Sequence, residues 1–200
     1  MSERMAQCDI FCGINGCGKT TLLKKIVLSM LKNGHRILII TPDPKEWRNV
    51  PEIHYKHKHH IATYTGIRRI VYYKGCLEDV RQYYGNGVLV LDDARAYIHA
   101  QTDDTMMWLQ IRRRQAEIDL FAVFHGLTQV PPVFFTFLSN LFLFYTADNI
   151  KRRGVYIDEN LYAEIQEAKA DVLSEVNKGN EHYYKRIILD KRLLKNKNNG

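Results

Sequence analysis

The chain has 200 residues, 46% hydrophobic and 26% charged, which suits one large soluble domain with a sizeable core and excludes a disordered or fibrous protein. No apolar run approaches the ~20 residues that span a bilayer, and the opening "MSERMAQCDIF" lacks a secretory apolar core, so a cytoplasmic location is expected. Of the formal net charge of +7, residues 185–200 alone hold +5, so the basic balance belongs mainly to the tail and says little about a basic groove.

In chain order, apolar strand-like runs alternate with amphipathic helix-like runs. "CDIFCG" (8–13) reads as a buried strand closed by glycine, and "TTLLKKIVLSMLKNG" as a helix with Leu22, Leu23, Ile26, Val27, Met30 and Leu31 on one face. Gly34 stands where a helix C-cap belongs. "HRILIIT" (35–41) is a strand stopped by "PDP", "RRIVYYKG" (68–75) a further candidate, and "GVLVLDD" (87–93) the clearest strand of all. Then follow a helix over 103–115, a strand over 118–126, a proline-opened helix over 131–140 and a strand over 141–147. A helix over 159–176 places Leu161, Ile165, Ala168, Val172 and Val176 together, and "EHYYKRIIL" (181–189) closes the series. Such alternation implies crossover connections and an α/β fold, a largely parallel sheet covered on both faces. We expect one domain over 1–189 and a basic, disordered tail over 190–200. The four cysteines (Cys8, Cys12, Cys17, Cys76) are expected to be reduced and mostly buried.

The segment Gly13-Ile14-Asn15-Gly16-Cys17-Gly18-Lys19-Thr20 fits G-x-x-x-x-G-K-[ST] at every position, between an expected strand and an expected helix. Its glycines let backbone N–H groups turn inward around phosphate, helped by the positive end of the helix. Lys19 can reach the β- and γ-phosphates, the Thr20 hydroxyl can complete a Mg²⁺ shell, and Thr21 completes the nucleotide-binding stretch. Asp92 ends a hydrophobic strand, where P-loop NTPases carry the carboxylate that holds Mg²⁺ through water. Asp93 stands next to it, where a carboxylate polarises the attacking water. At the end of the 118–126 strand, His125, Thr128 or Gln129 is placed to sense the γ-phosphate. Arg112, Arg113 and Arg114 lie at that strand's opposite end, beyond reach of their own nucleotide but within reach of a neighbour's. As helix-closing residues they also suit the negative end of the helix dipole.

Arginine, short spacer, hydrophobic strand and glutamine, after an acid-ended strand and a P-loop, resemble the FtsK/HerA superfamily of ring-forming DNA-pumping ATPases. The short chain is most similar to the genome-packaging ATPases of internal-membrane icosahedral viruses. The resemblance covers about residues 8–147 and implies a RecA-like core, ATP and Mg²⁺ as cofactors, DNA as partner, and a ring of identical subunits, with a capsid or portal vertex as a further partner. It further implies a place in host cytoplasm or at the virion vertex. On it, Gln129 corresponds to the sensor glutamine, with His125 as the alternative strand-end residue, and Arg114 to the arginine finger acting in trans. Asp93 stands where the family has glutamate.

Other readings stay open at this point. A small-molecule (nucleoside) phosphotransferase shares the P-loop, and "NIKRRGVYIDE" (149–159) would be its lid. A nucleotide-gated nucleic-acid-binding subunit and a filamentous-phage assembly ATPase are the remaining two. Guanine-reading N-K-x-D and the ABC signature L-S-G-G-Q are absent from the sequence. The run "HYKHKHH", with His54, His57, His59 and His60, is expected to be a solvated or DNA-facing loop, its interleaved lysines opposing a metal.

Overall fold

A computed structural model describes residues 6–98, 104–148, 150 and 157–189. The expected tail over 190–200 and most of the proposed lid over 149–159 lie outside them. Seven strands are β1 (Cys8–Cys12), β2 (Ile37–Thr41), β3 (Ile67–Val71), β4 (Gly87–Leu91), β5 (Ile118–Phe124), β6 (Asn140–Leu143) and β7 (Lys185–Ile188). Among the described residues the five α-helices are α1 (Lys19–Lys32), α2 (Cys76–Tyr83), α3 (Asp104–Arg112), α4 (Pro132–Phe137) and α5 (Glu159–Asn177). The strands form one sheet in the order β3-β2-β4-β5-β1-β6-β7, parallel throughout except for β7, which runs antiparallel to β6.

The continuous apolar runs of β1, β2, β4 and β5 follow from burial on both faces. Because side chains alternate, each strand divides its residues between two cores. Phe11, Ile37, Ile39, Val88, Val90, Phe121 and Val123 pack with Leu23 and Val27 of α1 and with Trp47. Ile10, Leu38, Ile40, Leu89, Leu91, Leu120 and Ala122 face the other way, toward apolar residues of α2, α3, α4 and α5. One face is thus closed by a single helix and the loop bearing Trp47, the other by four helices.

Strand β5 separates β1 from β4, so the segments leaving β1, β4 and β5 emerge side by side at the sheet's carboxyl edge. Among the described residues no helix is long and apolar enough to cross a membrane. All four cysteines are free and buried, as expected; burial pushes the Cys8 and Cys76 thiols up to about 12.

Helix α2 was not foreseen. Its two turns carry the acids Glu78 and Asp79 at the start, after Gly75 in a left-handed conformation. The two tyrosines at its end divide: Tyr84 is buried, its hydroxyl donating to Val88 O at 2.7 Å, while Tyr83 is half-buried.

At the amino edge of the sheet a polar group is sealed in. Asp9 is 4% exposed, and Asn140 Nδ2 donates to its Oδ1 at 2.6 Å, while Arg186 Nε and Nη2 donate to Asn140 Oδ1. Burial raises the Asp9 carboxyl from 3.8 to about 7, against the lowering effects of Asn140 and Arg186. Between those two pH values the folded chain holds a proton there that the unfolded chain has released. Stability therefore falls as pH rises through this window, by an amount on the order of a few kcal/mol, and stays at the lower level above it. Urea midpoints measured from pH 4 to 8 are expected to show this decline in the wild type and a flatter profile in Asp9→Asn.

Candidate active site

The turn between β1 and α1 forms the floor of a cleft of about 520 Å³. Its backbone is anchored at both neighbours: Gly13 N–H donates to Phe124 O at 3.2 Å and Ile14 N–H to Tyr145 O at 2.9 Å. Gly13 is required by close approach, since a Cβ there would sit 2.6 Å from Phe144 Cβ. Gly18 caps α1 at φ +98°, a left-handed conformation that turns the loop inward. No side chain caps that helix end and its first turn holds no acid, so its N–H groups and dipole are left for an anion. Asn15, Gly16, Gly18, Lys19, Thr20 and Thr21 all line the cleft. Ile14 and Cys17 do not: Ile14 is exposed, and Cys17 is buried in the core around α1.

Lys19 is 5% exposed, and its Nζ donates to Gly13 O at 2.7 Å and Ile14 O at 2.6 Å. The loop's own carbonyls thus hold the ammonium at the cleft floor.

Asp92 leaves β4 at 6% exposure. Its Oδ2 accepts from Trp47 Nε1 at 2.8 Å and from Thr41 Oγ1 at 3.3 Å. Burial raises its carboxyl above the usual range, and these two donors oppose the rise. Its backbone is pinned as well, by Asp92 N–H to Ile40 O at 2.9 Å and by the Tyr97 hydroxyl 3.0 Å from Asp92 O.

Asp93 adopts φ 45°, ψ 53°, a left-handed conformation uncommon outside glycine, asparagine and aspartate. That turn carries its carboxylate across to the end of β5, where Oδ1 lies 3.0 Å from His125 Nε2. His125 faces the cleft, whereas Gln129 sits behind it, its Oε1 accepting from the His125 backbone N–H at 3.3 Å. Thr128 turns away, its N–H and hydroxyl both donating to Asp148 Oδ2 at 2.8 Å.

The three arginines cluster at the other edge of the sheet and are not equivalent. Arg113 is buried, its Nη1 donating to Ala6 O and its Nη2 to Phe137 O at 3.1 Å, so the fold takes it up. Arg112 Nη1 donates to Gln115 Oε1 at 2.6 Å. Arg114 is exposed. The seven residues of β5 place roughly 20 Å between this edge and the cleft.

Sequence reasoning missed five contributors. Thr41 at the end of β2 and Asp43 and Glu46 in the loop after it line the cleft, and Trp47 supports Asp92 from beneath it. The stop of β2 at "PDP" was the available signal, because every strand of a parallel sheet ends at this edge. His182 enters from the far end of the chain, with its ring against Gly18 and no local motif to announce it. It also lines a smaller adjoining cavity of about 210 Å³, with Gly18, Thr21, Leu22, Lys25, Phe144 and Tyr184.

The His-rich run folds as 3-10 turns over Tyr55–Ala62, exposed as expected, and is tied to α2 by Lys58 Nζ to Asp79 Oδ1 at 2.7 Å. Among the described residues no group of three His, Cys, Asp or Glu side chains is arranged to hold a metal ion.

No family model matches the chain, and no curated protein matches its sequence. Solved structures do match its shape. The genome packaging NTPase B204 of Sulfolobus turreted icosahedral virus 2, in complex with AMPPCP, is 16% identical over 80% of this chain and 85% of that one, at a TM-score of 0.64. B204, the DNA-packaging ATPase of Sulfolobus turreted icosahedral virus, is 16% identical over 92% and 93%, at 0.57. The pCW3 conjugation coupling protein TcpA with ATPγS is 12% identical over 80% and 54%, at 0.50. The fold is therefore the RecA-like P-loop ATPase fold, a mostly parallel sheet with helices on both faces.

Proposed function

We propose that this chain is an ATP-hydrolysing DNA translocase of the FtsK/HerA kind, working as a ring oligomer in viral genome packaging. The observation that carries the reading is the division of its polar groups between the two edges of one sheet. A phosphate loop, two strand-end acids and a histidine meet at the carboxyl edge, while the exposed Arg114 stands at the amino edge. Similarity in fold to genome-packaging NTPases and to a conjugation coupling protein supports it.

ATP phosphates occupy the 520 Å³ cleft against the N–H groups of Gly16–Thr20. Lys19 exchanges its two carbonyl acceptors for β- and γ-phosphate oxygens. The base lies in the adjoining 210 Å³ cavity, which shares Gly18, Thr21 and His182 with the cleft and offers the Tyr184 ring as a wall. Thr20 and Asp92 suit Mg²⁺: a hydroxyl in the first turn of α1, and a buried carboxylate whose hydrogen bonds both fall on Oδ2, leaving Oδ1 to bind a water of the ion's shell. When bound, the ion neutralises charge on the phosphates. Asp93 orients the attacking water, and His125, held against it, registers the γ-phosphate, with Gln129 fixing the histidine's backbone. Arg114 completes the site of the next subunit, and the exposed basic run His54–His60 contacts DNA phosphates.

ATP supplied with AMP distinguishes this reading from a phosphotransferase: orthophosphate is the expected product, and ADP formed at the expense of AMP would contradict it. His125→Gln is expected to lower kcat by on the order of 10²-fold, with ATP affinity within about twofold of wild type. Paired turnover and fluorescent-nucleotide binding assays check this.

A further inference from the structure

Asp92 is held from below by a residue that no P-loop motif specifies. Trp47 lies in the loop after β2 and is 5% exposed. Its indole N–H has one acceptor, Asp92 Oδ2 at 2.8 Å, and the Thr41 hydroxyl reaches the same oxygen at 3.3 Å. The single Thr41 hydroxyl proton has a nearer acceptor in Asp43 O, at 3.0 Å, so the indole N–H is the donor committed to Oδ2, while Asp92 itself lines the cleft. The indole face in turn carries the Lys24 ammonium of α1, 5.1 Å from the ring centroid, and Lys24 Nζ pairs with Glu46 Oε1 at 2.6 Å. Glu46 itself lines the cleft. The contact therefore ties together α1, the β2 loop and the end of β4, the three segments that surround the ion's expected position.

We propose that Trp47 is a positioning residue for Asp92: its N–H orients the carboxylate toward the metal–nucleotide complex, and its indole senses whether that complex is bound. The proposal rests on the role given to Asp92 above. The Tyr97 hydroxyl meets the backbone of Asp92 rather than its side chain, so it does not compete for the carboxylate. The outer side of the Trp47 ring borders a cavity of about 610 Å³ with Val27, Leu28 and Val50, so a smaller ring at this position meets existing space and not a sealed core.

Trp47→Phe keeps an aromatic ring and removes the donor. Turnover per folded subunit is expected to fall about tenfold, with KM for ATP within about twofold. A merely packing role would lower the unfolding temperature and leave turnover per folded subunit unchanged, and that result overturns the proposal. A second readout needs no turnover. In Trp108→Phe, where Trp47 is the remaining tryptophan, emission should change on adding ATP with Mg²⁺. It should change far less with ATP in EDTA, or when Asp92→Asn is added. If the wild type hydrolyses no ATP, the proposed activity fails and this emission test alone decides. Unchanged emission while a fluorescent ATP analogue shows binding contradicts the role of Trp47.

Discussion

Alanine in place of Lys19 is expected to remove ATP hydrolysis, lowering turnover by on the order of 10²–10³-fold, the range seen when a preorganised donor to developing charge is lost. The side chain is nearly sealed, 5% exposed, and both of its oxygen partners belong to the phosphate loop. Its ammonium is thus kept where the β- and γ-phosphates arrive, with little freedom left to lose on binding. Truncation leaves two carbonyls without a donor but breaks no contact between elements, so unfolding temperature should change little. Orthophosphate release and a thermal melt on the same preparation separate loss of chemistry from loss of fold. Turnover within a few fold of wild type would show that the loop does not hold the reacting phosphates.

Arg114→Ala is expected to lower turnover by on the order of 10³-fold, the lower end of what an arginine finger contributes, while leaving ATP binding by isolated subunits intact. The side chain is exposed and a full strand length from its own cleft, so the proposed role requires a second copy of the chain. Mixed assemblies decide between a finger in trans and a local effect. Arg114→Ala subunits added to wild type should depress activity more than in proportion to their fraction; strictly proportional loss would contradict the role. Arg113→Ala is the control with the opposite signature. Its guanidinium joins the segment before β1 to the end of α4, so its loss should destabilise the fold.

What the sequence made legible follows from how each feature is encoded. Strands β1, β2, β4 and β5 are buried on both faces and read as uninterrupted apolar runs, and the phosphate loop is a contiguous pattern flanked by its own strand and helix. Asp92 and Asp93 were visible because they end such a run. Helix α2 was hidden by its length, two turns between aromatic clusters whose burial depends on long-range packing. The choice between His125 and Gln129 turns on one bend at Gly126: the histidine is the first residue past β5 and keeps to the cleft, while the glutamine folds back onto it. Trp47 and His182 are distant in sequence from the residues they touch, and neither belongs to a periodic pattern. Arg112, Arg113 and Arg114 are alike in sequence and separate only when Ala6 and Phe137 claim the middle one.

Steady-state ATP hydrolysis per subunit, measured across protein concentrations with and without DNA and with Lys19→Ala as the blank, tests the central claim most directly. A ring whose sites are completed by neighbouring subunits predicts turnover that climbs with concentration to a plateau and rises again when DNA is added. Turnover of the same size at every concentration, indifferent to DNA, would contradict it.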